Sequence, residues 1–362
     1  MNKKFTKIAA ATLAITAVCA SLAGCGADKN KAEEADMVAF SNSYDNTDEL
    51  LKKFPVTNPT PLDTKLEKDI ENRLLNGFEN WNRGYDAWKA WGDILYTENS
   101  IYNVHDVKLT LKEYQEAMNL SLKATDMQMG NFENIIVCDD WTAIRYNILD
   151  TDRQTGEATP GCVMEFVNFK DYGDEKGTRV VEGWAGTKGS DFEAMSSFQT
   201  DEERAAQKTR EDVVINTIIP DTQNLEEKYP ILHPTAIDGE LSRKIKNAIL
   251  TDFDKWNEGY DVWSQWADTY YDSNLNYCAY TTMKTLDEIK AERKQEAENT
   301  EVKRVYFDNM LISGDWAAIY YKVVETDLTT GEKTVSSRME FLHFEENGDS
   351  VKVKECWTME QE

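Results

Sequence analysis

Histidine is almost missing from this chain: His105, His233 and His343 are the only three among 362 residues. There is no HExxH, no paired CxxC, no GxSxG and no phosphate-cradling glycine loop. The usual zinc-hydrolase, dithiol, serine-hydrolase and nucleotide motifs therefore lack their residues. The acidic pairs Asp139-Asp140 and Asp150-Xxx-Asp152 do not follow calcium-loop spacing. Neither a metal nor a cofactor is expected. Positive charge is also short: Lys and Arg total 40 against 66 Asp and Glu, a net charge of -26. Such a surface repels phosphate backbones and anionic headgroups, so nucleic acid is excluded as a partner. Solubility accounts for most of that acid excess.

Long hydrophobic runs are scarce as well. The one that stands out, residues 8–20, follows Lys3, Lys4 and Lys7 and is too short for a comfortable membrane span. It ends at Leu22-Ala23-Gly24-Cys25, which resembles the lipobox of bacterial lipoproteins. That resemblance implies that residues 1–24 are a signal peptide and that Cys25 is lipidated. The protein would then sit on the extracytoplasmic face of the cell membrane, touching it only through lipid. Loss of residues 1–24 would carry the charge to about -29. Residues 25–53 are polar, acidic and aperiodic, as in a flexible tether. Beyond Cys25 only Cys138, Cys162, Cys278 and Cys356 remain. Pairing of Cys138 with Cys162 and of Cys278 with Cys356, or four free buried thiols, are both open.

What the chain does have is a repeat. Residues 54–182 realign on 229–355 with an offset of 175 through their longest parts. Asn82-Xxx-Gly84-Tyr85-Asp86 returns as Asn257-Xxx-Gly259-Tyr260-Asp261. Asp140-Trp141-Xxx-Ala143-Ile144-Xxx-Tyr146 returns as Asp315-Trp316-Xxx-Ala318-Ile319-Xxx-Tyr321. Two domains are expected, at 54–188 and 229–362, joined by a linker at 189–228. No histidine matches another across the repeat: His105 faces Tyr280, His233 faces Asn58 and His343 faces Asn168.

Each unit opens with Asp63 or Asp238 in position to cap a helix. Leu66, Ile70, Leu74, Phe78, Trp81, Tyr85 and Trp88 then recur at helical spacing. Leu241, Ile245, Ile249, Phe253, Trp256, Tyr260 and Trp263 repeat that stripe. It is one long helix, or two joined near Gly77 or Gly84. Thr110-Xxx-Xxx-Glu113 and Thr285-Xxx-Xxx-Glu288 are capping boxes opening a further helix. After it the period falls to two, with Gly156 and Gly331 at matching turns. Helices first, then an antiparallel meander, is an α+β order.

These motifs carry a resemblance. The aromatic first helix, Asp140-Trp141 to Tyr146, Thr155-Gly156, Met164-Glu165-Phe166 and Glu182-Gly183-Trp184 resemble the SnoaL-like branch of the nuclear transport factor two-like superfamily. Asp315-Trp316 to Tyr321, Thr330-Gly331, Met339-Glu340-Phe341 and Glu355-Cys356-Trp357 repeat the set. The resemblance implies two cone-shaped domains, each a curved antiparallel sheet wrapped on its N-terminal helices, with a pocket at the wide end. It also implies that the cones pair as an intramolecular pseudo-dimer. Enzymes of that branch commonly use a His–Asp pair, which the unmatched histidines here do not supply.

Carboxylates are the remaining acid–base candidates: Glu165, Glu182, Glu340 and Glu355. Glu165 and Glu340 interrupt apolar strands, facing either solvent or a polar pocket. Glu182 and Trp184 share one strand face, as do Glu355 and Trp357. For ligand binding the candidates are Trp81, Tyr85, Asp86 and Trp184, with Trp256, Tyr260, Asp261 and Trp357. Most of these aromatics also fit a core role. The expected function is non-catalytic binding of a small apolar or cyclic molecule, or of an envelope protein. A cofactor-free lyase or isomerase and a structural envelope protein are the alternatives.

Overall fold

The computed structural model describes residues 46–104, 106–187 and 195–361. Residues 1–24, expected as a signal peptide, Cys25 and His105 lie outside the described residues, as does most of the segment expected as a tether. Its last part is a helix, α1 (Thr47–Lys53), whose Leu50 is buried in the first core.

The first unit continues with β1 (Val56–Pro59), α2 (Lys65–Asn82), α3 (Tyr85–Leu95), β2 (Tyr96–Val104), β3 (Val107–Thr110) and α4 (Leu111–Ala124). Four long strands follow: β4 (Thr125–Cys138), β5 (Trp141–Asp152), β6 (Ala158–Asp171) and β7 (Thr178–Thr187). Next come α5 (Asp201–Ile215) and α6 (Leu225–Lys228). The second unit repeats the order: β8 (Ile231–Pro234), α7 (Glu240–Asn257), α8 (Tyr260–Tyr270), β9 (Tyr271–Ala279), β10 (Thr282–Lys284) and α9 (Leu286–Glu296). It ends with β11 (Thr300–Ser313), β12 (Trp316–Asp327), β13 (Lys333–Asn347) and β14 (Ser350–Gln361).

Each unit has one seven-stranded sheet, β1-β4-β5-β6-β7-β2-β3 and β10-β9-β14-β13-β12-β11-β8. The two orders are the same arrangement read from opposite ends. The α+β, two-cone reading holds. The four long strands of each unit form the antiparallel meander. The sheets are nevertheless mixed, because β1 joins β4 and β2 joins β7 in parallel, with β8–β11 and β14–β9 as counterparts. Those pairings come from segments before the meander, where local alternation carries no information about partners.

The long amphipathic stripe is two helices in each unit. The break falls at Gly84 and Gly259, whose φ of 113° and 106° a side chain rarely adopts. Asp63 is not the first cap: Thr64 takes that place and closes a capping box with Glu67. Asp238 is not the second, where Gly239 with φ 93° precedes the helix without a side-chain bond. The predicted boxes at Thr110–Glu113 and Thr285–Glu288 both form. Within the expected linker, α5 is a fourth helix with such a start, Thr200–Glu203. Cys138, Cys162, Cys278 and Cys356 are all free and buried, so neither disulfide forms.

Helix stripes and inward strand residues make a separate buried cluster in each unit. A third cluster joins outward residues of both sheets, among them Trp141, Phe166, Trp316, Tyr320 and Phe341. Both faces of the meander are thus buried, which explains its nearly continuous apolar sequence.

Candidate functional site

The interior of the first unit is not filled. A cavity of about 100 Å³ remains between α2, α3, α4 and the sheet, room for several waters or a small ligand. Its walls are aromatic and aliphatic, with Trp81, Trp88, Trp91, Tyr102 and Tyr114 on the helix and β2 side. Trp81 and Trp88 meet edge to face at 5.1 Å, while Tyr102 and Tyr114 stack at 4.4 Å. The indole nitrogen of Trp91 is buried without a partner. Gly77 makes room for that indole: a Cβ there would stand 2.8 Å from the Trp91 ring.

Among the described residues one carboxyl group faces this space. Glu165 lies on β6 opposite Ile144, so Tyr146, two residues along β5, shares its face. The Tyr102 hydroxyl donates to Glu165 Oε2 and the Tyr146 hydroxyl to Oε1. Burial pushes the Glu165 carboxyl above its ordinary value, and the two tyrosine hydrogen bonds only partly oppose it. Burial and the nearby Glu165 charge together push the Tyr102 and Tyr146 hydroxyls well up. Both phenols therefore remain donors near neutrality. The arrangement is an apolar chamber with one proton-bearing end.

In the second unit the same register places Glu340 opposite Ile319, and Tyr321 donates to it at 2.7 Å. The surroundings differ. Gly77 becomes Asp252, Met129 becomes Arg304, Met118 becomes Arg293 and Val163 becomes Arg338. Arg304 pairs with Asp252 at 2.5 Å and lies 4.1 Å over the Trp256 ring. Arg338 bonds Glu325 at 3.2 Å and Glu360 at 3.0 Å, and Arg293 bonds Glu296 at 2.8 Å. An opening of about 280 Å³ is left beside Trp256, Arg293, Arg338 and Glu340. The two chambers share a Glu–Tyr pair, an edge-to-face tryptophan pair and two further tyrosines, and differ in the charges set among them.

Trp81 and Glu165 thus line the first chamber, and Trp256 and Glu340 the second. The other expected site residues lie elsewhere. Asp86 and Asp261 are exposed in the first turns of α3 and α8, where a carboxylate favours the helix N-terminus. Tyr85 bonds the Gln115 carbonyl at 2.9 Å, at the edge of the core. Tyr260 packs on the flank of the second core. Glu182, Trp184, Glu355 and Trp357 do share strand faces, but these are the outward ones. Trp184 and Trp357 pack on the cluster between the sheets. Glu355 accepts from His343 Nδ1 at 2.9 Å, while His343 Nε2 contacts Asp315 at 3.1 Å. Sequence reasoning missed Tyr102 and Tyr146 as partners of Glu165. The repeat held a signal for Tyr146, since Tyr321 and Glu340 return together.

Among the described residues, no group of three His, Cys, Asp or Glu side chains is placed to hold a metal ion, and no helix is long and apolar enough to cross a membrane.

No family model and no curated protein matches the chain. Solved structures similar to it match about a third of its length. AclR, a putative hydroxylase from Streptomyces galilaeus, is 18% identical with a TM-score of 0.28, covering 35% of this chain and 95% of its own. A SnoaL-like polyketide cyclase from Agrobacterium tumefaciens is 12% identical with a TM-score of 0.27, over 32% and 90%. ActVI-ORFA from Streptomyces coelicolor is 13% identical with a TM-score of 0.28, over 33% and 97%. Likenesses this distant decide nothing about activity. The two-cone assignment rests on the paired sheets themselves.

Proposed function

We propose that the first unit binds a small apolar or cyclic molecule without catalysis, gripping one polar group of it with Glu165, Tyr102 and Tyr146. The observation that carries this reading is an aromatic-walled cavity with, among the described residues, one hydrogen-bonded carboxyl group at its wall. Trp81, Trp88 and Trp91 line that chamber, so indole-ring fluorescence reports occupancy. Titration with phenol, cyclohexanone and camphor should give saturable quenching with at least one probe. Glu165→Gln should weaken it about tenfold, one hydrogen bond's worth. No saturation by any probe, with circular dichroism unchanged, refutes the reading.

One observation favours a second reading. Burial raises the Glu165 carboxyl, the condition for a general acid or base near neutrality. A lyase or isomerase using Glu165 would exchange protons beside a bound carbonyl. Deuterium exchange into cyclohexanone, no faster with the protein than in buffer, removes this reading and leaves binding intact.

The chain acts, on the same proposal, as a lipoprotein held outside the membrane by lipid on Cys25. Labelling with a palmitate analogue in a bacterial host should mark the wild type and not Cys25→Ala. The two units pair through their outer sheet faces as an intramolecular pseudo-dimer. The buried cluster shared by both sheets and the bond from Ala236 N–H to Asp139 Oδ2 at 2.9 Å support that pairing.

A further inference from the structure

A larger opening lies outside both cones. It measures about 410 Å³ and sits where β7 of the first unit meets β11 and β12 of the second, under helix α5. Glu182, Trp184, Asp308, Lys322 and Asp106 line it, with Lys108 and Arg210 exposed at its rim. Lys322 is already engaged: its ammonium bonds Asp106 at 3.1 Å, and Ser337 bonds the same carboxylate at 2.7 Å. Asp308 lies within the field of Lys322 but makes no bond to it. Its Oδ2 is buried with no hydrogen-bond partner, and among the described residues it forms no ion pair. Glu182, half-buried, likewise has no cation within ion-pair distance among those residues. A half-buried carboxylate with one oxygen shut from solvent and unbonded carries a cost that calls for an explanation.

The internal repeat supplies one. Asp308 sits at a β-bulge of β11 between Phe307 and Asn309, and Glu133 sits at the matching bulge of β4 between Phe132 and Asn134. Trp184 and Glu182 likewise match Trp357 and Glu355. On that mirror side the chain provides its own cation. The Arg145 guanidinium lies 3.9 Å from the Trp357 ring centroid and 3.9 Å from Glu133, and Asn147 adds a bond to Glu133 at 2.6 Å. Arg145 corresponds to Tyr320, and Asn147 to Lys322. Tyr320 carries no charge toward Asp308, and its ring stands 6.2 Å from Trp184. One side therefore has carboxylates, an indole and a built-in guanidinium. The other has the carboxylates, the indole, Tyr320 in the guanidinium's place, Lys322 held by Asp106, and an opening beside them.

We propose that this inter-unit cavity is a second binding site, for a small organic cation whose guanidinium or ammonium group lies between Asp308 and Glu182 and against Trp184. Charge-assisted hydrogen bonds to the two carboxylates supply orientation, and the indole face supplies cation–π attraction. The site is separate from the first cone's chamber and does not depend on what that chamber binds.

Isothermal titration of the full chain with agmatine, and with n-butylammonium, tests it at pH 7.5 and low salt. One saturable site is expected, weakened at least about tenfold in Asp308→Asn. Tyr320→Arg should place in the cavity the cation that Arg145 provides on the other side, and should abolish binding. Should Asp308→Asn fail to fold, Glu182→Gln makes the same comparison. Two results overturn the proposal: no saturable heat with either probe up to about 10 mM, or undiminished binding in the folded carboxylate variant, which marks non-specific attraction to an acidic surface.

Discussion

Removing the Asp308 charge should stabilise the protein, and by an amount that depends on pH. Burial is the largest influence on this carboxyl, and Asp106 and Glu182 add to it, while Lys322 opposes them; the result is a rise from 3.8 to about 6. Below pH 3.8 the side chain is protonated whether the chain is folded or not. Between 3.8 and about 6 the unfolded chain releases the proton and the folded chain keeps it, so stability falls as pH rises. Above about 6 both states are ionised and the loss is complete. At about 1.4 kcal/mol per pH unit the interval is worth about 3 kcal/mol. Water reaching the open cavity reduces this, so about 1–3 kcal/mol is expected. Asp308→Asn keeps the shape and removes the titration. Its buried amide carries a cost that does not vary with pH, so the change with pH is the readout. Urea unfolding of wild type and variant at pH 4, 5, 6 and 7 should show the variant gaining on the wild type up to pH 6 and then levelling. Glu98→Gln, an exposed change of equal charge, corrects for general relief of acid repulsion. Parallel pH curves for Asp308→Asn and Glu98→Gln would refute the reasoning. Saturating agmatine should flatten the wild-type curve, because a bound cation holds the carboxylate ionised in the folded state.

The remaining expectations concern the two cores and the outer face. Gly77→Ala sets a methyl 2.8 Å from the Trp91 ring; the indole should swing into the adjoining chamber, costing less than about 2 kcal/mol by urea unfolding while abolishing probe quenching. Arg304→Met leaves Asp252 buried and unpaired and should cost about 3–5 kcal/mol; adding Asp252→Ala should recover much of that, and an additive double variant would show the pair is not coupled. His343 is raised chiefly by its hydrogen bond to Glu355, against burial and with help from Asp315. Its contribution is present below the unfolded value of 6.5 and fades as pH rises through the folded one, so His343→Gln should destabilise more at pH 5.5 than at pH 8.5.

Much of this fold was legible because its signals are local. The apolar stripe from Leu66 to Trp88, the Gly84 break and the Thr110 and Thr285 boxes each need only a few neighbouring residues. The segment expected as linker held the same signal at Thr200 and Glu203, yet its helix was not read there. The chamber was half legible. Glu165 stood out as an acid within an apolar strand, and its burial among aromatics follows from the helices above it. Tyr102 was not legible as its partner, because β2 reaches that place only by pairing in parallel with β7. The faces of Glu182 and Trp184 were not legible either. Alternation says that two residues share a face, but both faces of this meander are buried, so no contrast with solvent marks the inner one.

The charges buried in the two units differ in a way that bears on the cavity between them. Inside the second cone every buried arginine named above has its counter-ion: Arg304 with Asp252, Arg338 with Glu325 and Glu360, Arg293 with Glu296. None occurs in the first cone at the matching positions, which are Met129, Val163 and Met118. Arg304 and Asp252 have thus changed together, to Met129 and Gly77, whereas Arg338 becomes Val163 while its partner Glu325 stays acidic as Asp150. The outer faces differ as well. Glu133 has Arg145, whereas Asp308, at the same bulge, faces Tyr320 and an opening. A carboxylate beside an opening and an indole, with Lys322 already held by Asp106, is the arrangement the proposed site for an external cation uses.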